Sequence, residues 1–101
     1  MAKVSSIEKN NKRVSLSIRY KEKRDELKNI IMDKNSTIEE RFLTMLKLAK
    51  IKRNSAQVRV RNRCKLTGKP RGFYRKFKLS RIALRDLGSQ GVLPGIRKAS
   101  W

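Results

Sequence analysis

VRVRNRCKLTGKPRGFYRKFKL, Val58 to Leu79, holds nine bases (Arg59, Arg61, Arg63, Lys65, Lys69, Arg71, Arg75, Lys76 and Lys78) and no acid. Threaded through them are Phe73, Tyr74, Phe77, two glycines (Gly68, Gly72) and Pro70. Like charges this dense repel one another, so the segment is expected to order against a polyanion. Bases along an irregular backbone can each meet a phosphate and release condensed counterions, and an aromatic face offers stacking to an unpaired base. Thr67-Gly68 and Pro70-Arg71-Gly72 are turn chemistry, predicting a loop-rich region with room for a small hairpin. Upstream, Val58 and Val60 alternate with Arg59 and Arg61 as in a short exposed strand, beyond a polar linker at Lys52-Arg53-Asn54-Ser55.

Downstream, Leu79-Ser80 opens a short final helix with Ser80 as N-cap, an apolar edge of Ile82, Ala83 and Leu87, and a stop at Gly88 or Gly91. The tail GVLPGIRKASW disfavours helix and is expected to be extended. In the other direction, Ser36 with Glu39, or Thr37 with Glu40, begins a capping box. Ile38, Phe42, Met45, Leu46 and Ala49 then follow at helical spacing, predicting a helix over about 37–50. Its stripe is expected to pack on Leu27, Ile30 and Ile31 as a helical hairpin, across a turn at Asp33-Lys34-Asn35-Ser36. Residues 1–34 mix both signs of charge and read as one long helix or two broken ones, with little to pack before Leu27; a charged, partly disordered arm is the bland alternative. Val14, Leu16 and Ile18 alternate there instead of following a helical period.

The totals narrow the function classes. The chain has 101 residues, 28 Lys and Arg against 8 acids, and a formal net charge of +20. Its 38% apolar content is below the roughly 45–50% of ordinary globular domains, so a thin core and completion of folding on a partner are expected. Histidine is absent, which removes the commonest general base and any Ser-His-Asp or Cys-His arrangement. Cys64 is the sole cysteine, so no internal disulfide and no thiolate zinc site can be built from it. No phosphate loop or dinucleotide fingerprint occurs, and catalysis, a cofactor and a small-molecule substrate are not expected. No apolar run approaches the ~18 residues of a membrane span, and the first residues lack a signal core, so a cytosolic or organelle-encoded protein is expected. DNA-reading patterns are missing, and the bases lie in loops instead of along an amphipathic helix. RNA is the partner that fits best. A free nucleic-acid-binding regulator or a basic antimicrobial peptide is the reading from another class.

RNRCKLTGKPRGFYRKFKLSRIALRDL (61–87) followed by GVLPGIRKASW (91–101) closely resembles the small-subunit ribosomal protein S-fourteen family, in its long, zinc-free bacterial and organellar form. The likeness is strongest over about 59–101 and extends with less force to the N-terminus. It implies a mainly α fold with irregular loops: a helical N-terminal extension over 1–54, then an rRNA-binding, zinc-ribbon-like module over 55–101. Short members of the family carry four zinc cysteines, and the matching positions here are Cys64, Thr67, Ser80 and Ala83, of which only the first keeps a thiol. The resemblance further implies a place in the head of the small subunit, binding the 3′ domain of 16S rRNA, supporting assembly and shaping rRNA near the decoding A site. The neighbours it implies are small-subunit proteins three, ten and nineteen. By motif match, rRNA contact falls to Arg59, Arg61, Arg63, Lys65, Lys69, Arg71, Arg75, Lys76, Arg81, Arg97 and Lys98, with Lys78 added from the basic run. Phe73, Tyr74 and Trp101 are candidates for stacking or packing. Ile38, Phe42, Met45 and Leu46 are candidates for protein contact.

Overall fold

The charged arm folds as two helices, α1 (Val4–Arg19) and α2 (Lys21–Met32), in a computed structural model that describes residues 2–97 and Ala99. The alternation of Val14, Leu16 and Ile18 does not survive as extended chain, because no strand is offered for them to pair with. Tyr20 interrupts the helix only locally, at φ −97°, ψ 5°. Its N–H still donates to the Leu16 carbonyl (3.0 Å), and its own carbonyl accepts from Arg24 N–H (2.9 Å).

After α2 the Asp33 carboxylate accepts from Asn35 N–H (3.0 Å) and from the Ser36 hydroxyl (3.3 Å), closing the turn by side chain. Helix α3 (Ile38–Lys50) then starts at Thr37, the second of the two possible caps, whose hydroxyl accepts from Glu40 N–H (3.3 Å). Glu39 and Glu40 in its first turn and Lys47 and Lys50 in its last complement the helix dipole.

Helices α2 and α3 do form a hairpin, but with a different face of α3 inward. Arg41, Thr44 and Leu48 are the buried and half-buried positions, opposite Arg24, Leu27 and Ile31 on α2. The expected stripe points away: Ile38 is 83% exposed and Phe42 60%, with Met45 and Leu46 also exposed. The physical reason is polar. Arg41 Nε donates to the Ile31 carbonyl (2.9 Å), one of the acceptors left open at the end of α2, and this sets the rotation of α3. Thr44 turns its hydroxyl back to the Glu40 carbonyl (2.7 Å) and so can be buried.

The Lys52–Ser55 linker is an anchor. Ser55, 1% exposed, accepts from Arg24 Nε (2.9 Å) and donates to the Lys52 carbonyl. Two short 3₁₀ turns, Arg53–Ser55 and Gln57–Arg59, replace the expected Val58/Val60 strand. Backbone bonds spanning three residues close them, and Val58 is left 93% exposed. With no neighbouring strand to pair, local turn bonds are the better use of these N–H groups.

Among the described residues, the sheet is one antiparallel pair, β1 (Phe73–Tyr74) and β2 (Leu79–Ser80), with Phe73 opposite Ser80 and Tyr74 opposite Leu79. Helix α4 (Arg81–Ser89) follows directly, and the Ser80 hydroxyl accepts from Ala83 N–H (3.3 Å) as its cap. At its other end Gly91 N–H donates to the Gly88 carbonyl (3.2 Å) and Val92 N–H to that of Leu87 (3.1 Å), with Gly91 at φ +70°. That double bond is a Schellman stop, so Gly91, not Gly88, ends the helix. Its inward face is Ala83 and Leu84, whereas Ile82, expected at the apolar edge, is half exposed.

Lys9–Val60 makes one compact unit, and the described residues of Met1–Glu8 and Arg61–Trp101 make the other. The second unit's core is small: Cys64, Leu79 and Ala83, with Phe77, Leu87 and Leu93 packed against them.

Candidate nucleic-acid interface

The core of the second unit is built on Cys64, and its geometry sets where the bases stand. Cys64 N–H donates to the Lys69 carbonyl (3.0 Å), Gly68 N–H to the Cys64 carbonyl (2.9 Å), and Lys65 N–H to the Lys78 carbonyl (3.1 Å). Residues 64–69 are thereby folded into a tight knuckle laid against the β1–β2 hairpin. Gly68 is required there: at φ +74° an added Cβ would stand 2.7 Å from Ile7 Cδ1. Ala2 N–H also donates to the Thr67 carbonyl (3.2 Å), so the start of the chain is stitched to the same knuckle.

Thr67, Ser80 and Ala83 all lie around the Cys64 side chain. Burial pushes the thiol up, but hydrogen bonds from the Thr67 hydroxyl and from the backbone at Thr67, Ser80 and Leu66 outweigh it, bringing Cys64 from 9.0 down to about 6. One thiol, two hydroxyls and a methyl do not make the donor set a zinc ion needs, and among the described residues no three metal-ligating side chains cluster. The spot is filled by apolar packing and by hydrogen bonds to sulfur.

Around this knuckle the bases point outward. Lys65, Arg71, Arg75, Lys76, Lys78 and Arg81 are exposed, as is Arg61, and Asp86 is the only acid between Arg61 and Trp101. Lys78 sits at φ +56° and donates its N–H to the Tyr74 carbonyl (2.8 Å), closing the 75–78 loop so that Arg75 and Lys76 stand at its tip. Lys76 Nζ lies 5.7 Å from the centre of the Phe77 ring. Two of the sequence candidates turn partly inward. Arg63 Nη1 donates to the Gly68 carbonyl (3.0 Å), and Lys69 is half-buried beside Thr67. Arg59 lies in the other unit, where its Nη1 donates to Asn54 Oδ1 (3.0 Å). Arg97 is exposed, and Lys98 and Trp101 lie outside the described residues.

The aromatics separate by role. Phe77 packs on the core and Phe73 is half-buried, whereas Tyr74, on the opposite face of β1 from Phe73, is 47% exposed. Arg85 was not singled out from sequence. Its signal was available, since it stands four residues after Arg81 and therefore shares a face of α4 with it.

The family described as ribosomal protein S14p/S29e matches residues 47–100. Over all 101 residues of both chains, the sequence is 60% identical to the small ribosomal subunit protein uS14 of Hyphomonas neptunium and 59% identical to that of Mesorhizobium japonicum. It is 57% identical to that of Chelativorans sp. (strain BNC1), again over the full length of both.

Proposed function

The chain belongs to the ribosomal protein S14p/S29e family, and from that membership we propose that it is a structural, non-catalytic protein of the small ribosomal subunit that binds 16S rRNA in the subunit head. The observation that carries the rRNA reading is the exposed, acid-poor run of bases around the Cys64 knuckle, set on short loops and one hairpin. Such a surface can follow converging phosphates that a flat or regular element cannot. Arg61, Lys65, Arg71, Arg75, Lys76, Lys78, Arg81 and Arg97 are its phosphate-facing groups. Arg59, in the other unit, is a phosphate contact of its own, and Arg63 and Lys69 contribute from half-buried positions that also hold the knuckle.

In this reading residues 55–101 form the rRNA-binding module and 1–54 the helical extension. The target is the 3′ domain of 16S rRNA, and binding supports assembly of the subunit and the rRNA conformation near the decoding A site. The exposed Ile38, Phe42, Met45 and Leu46 stripe is a surface for protein neighbours, of which small-subunit proteins three, ten and nineteen are proposed. The protein resides in the ribosome, in the cytoplasm or an organellar matrix. Among the described residues no helix is long and apolar enough to cross a membrane.

A sucrose gradient of cell lysate in high salt tests this directly. Salt strips charge-only binding, so a shape-specific component sediments with the small subunit. Recovery of the chain only at the top of the gradient overturns the assignment. Arg71→Ala and Arg75→Ala are expected to weaken rRNA association and lower its salt slope by about one each. An unchanged slope in both removes them as phosphate contacts.

A further inference from the structure

One concavity of the second unit joins the hairpin to α4 and is lined by Tyr74, Arg81, Ile82 and Arg85, with a volume of about 440 Å³. That lies within the ~300–1,000 Å³ range of small-molecule pockets. Its walls combine an exposed phenol ring, an exposed aliphatic side chain and two guanidinium groups, with no acid among them.

The backbone sets where Arg81 starts. Its main-chain N–H donates to the Gly72 carbonyl (2.6 Å), and its stem lies over Gly72, where an added Cβ would come within 3.3 Å of Arg81 Cγ. Gly72 at φ +61° thus does two things: it turns the chain into β1 and leaves room for the arginine to lie flat. Arg85, one helical turn on, lines the same space. The Tyr74 main chain is held at the other wall by its pairing with Leu79.

We propose that this pocket is a subsite for a single unpaired nucleotide of RNA, its base stacked on the Tyr74 ring and against Ile82, and its phosphate held by Arg81 and Arg85. The proposal rests on the rRNA-binding reading above and adds to it a selectivity that charge alone does not supply. Phosphate contacts are indifferent to whether a base is paired; a stacking wall is not, because a base inside a duplex keeps its π-face covered by its neighbours.

The test uses the full chain and two blunt-ended RNA duplexes, one fully paired and one carrying a single bulged 2-aminopurine, matched in phosphate number by a 5′-phosphate on the paired one. Equal phosphate number cancels the ionic term. The wild-type chain is expected to prefer the bulged RNA by about 5- to 150-fold, the range that stacking one base provides, and to change the 2-aminopurine fluorescence on binding. Tyr74→Leu, at a half-exposed position, is expected to abolish both the preference and the fluorescence change. Tyr74→Phe keeps the ring and is expected to keep both. Equal wild-type affinity for the two RNAs, or a preference that Tyr74→Leu leaves intact, overturns the subsite and spares the broader reading. Failure of the wild-type chain to bind either RNA at low salt overturns the rRNA-binding reading itself.

Discussion

Cys64 and Gly68 show how much is decided by single side chains in a core this thin. The contacts that favour the Cys64 thiolate lower its pKa from 9.0 to about 6. A depressed folded-state value contributes stability that is complete above the unfolded thiol's pKa and is lost as pH falls through the folded one. The stability difference between the wild type and Cys64→Ala is therefore expected to be largest near pH 9 and to shrink toward pH 6. Thiolate absorbance should titrate with a midpoint near 6, and a midpoint near 9 rules the linkage out. Gly68→Ala is expected to destabilise the second unit by about 1–3 kcal/mol, since it forces a side chain into φ +74° and drives it onto Ile7. Adding Ile7→Ala should recover the steric part and leave the backbone strain, a non-additivity readable in a double-mutant cycle of thermal midpoints.

At the scale of elements, α3 makes the sharpest claim. Leu48→Ala, on the inward face, is expected to cost about 1–2 kcal/mol of stability, whereas Phe42→Ala, although larger, should cost under ~0.5 kcal/mol because the ring is already in solvent. Equal costs in chemical denaturation would put the stripe back in the core. Helix α4 depends on its cap, and Ser80→Ala is expected to lose about 1 kcal/mol by removing the acceptor for Ala83 N–H. The existence of α3 and α4 and their caps were legible, because spacing and capping chemistry are local. The turns at Gly68 and Gly72 were legible for the same reason, whereas the hairpin's own 75–78 loop, closed by Lys78 at φ +56°, carries no turn residue to announce it. The inward face of α3 was not: it is chosen by the Arg41 bond to the Ile31 carbonyl and by Ser55 meeting Arg24, contacts 10 and 31 residues apart that no periodicity encodes. Likewise the Val58/Val60 alternation promised a strand, but alternation supplies no partner. At the interface, the outward bases could be read from the run itself. The inward turn of Arg63 and the meeting of Arg85 and Tyr74 at one concavity required the fold.

For the molecule as a whole, the governing quantity is a formal charge of +20 on 101 residues with few buried apolar side chains. Self-repulsion opposes the compact state, and salt screens it. The thermal midpoint of the isolated chain is therefore expected to rise with ionic strength, while its affinity for RNA falls. Parallel movement of the two would contradict an electrostatic origin for both. The outward stripe of α3, from Ile38 to Leu46, has a consequence for the cell's economy of synthesis. A copy made in excess carries both an uncovered greasy helix and a polycationic surface, features that quality-control proteases and holdases recognise. Unincorporated copies should turn over within minutes in a pulse-chase, incorporated ones should persist with the particle, and Phe42→Ser with Leu46→Ser should lengthen the life of the orphan pool.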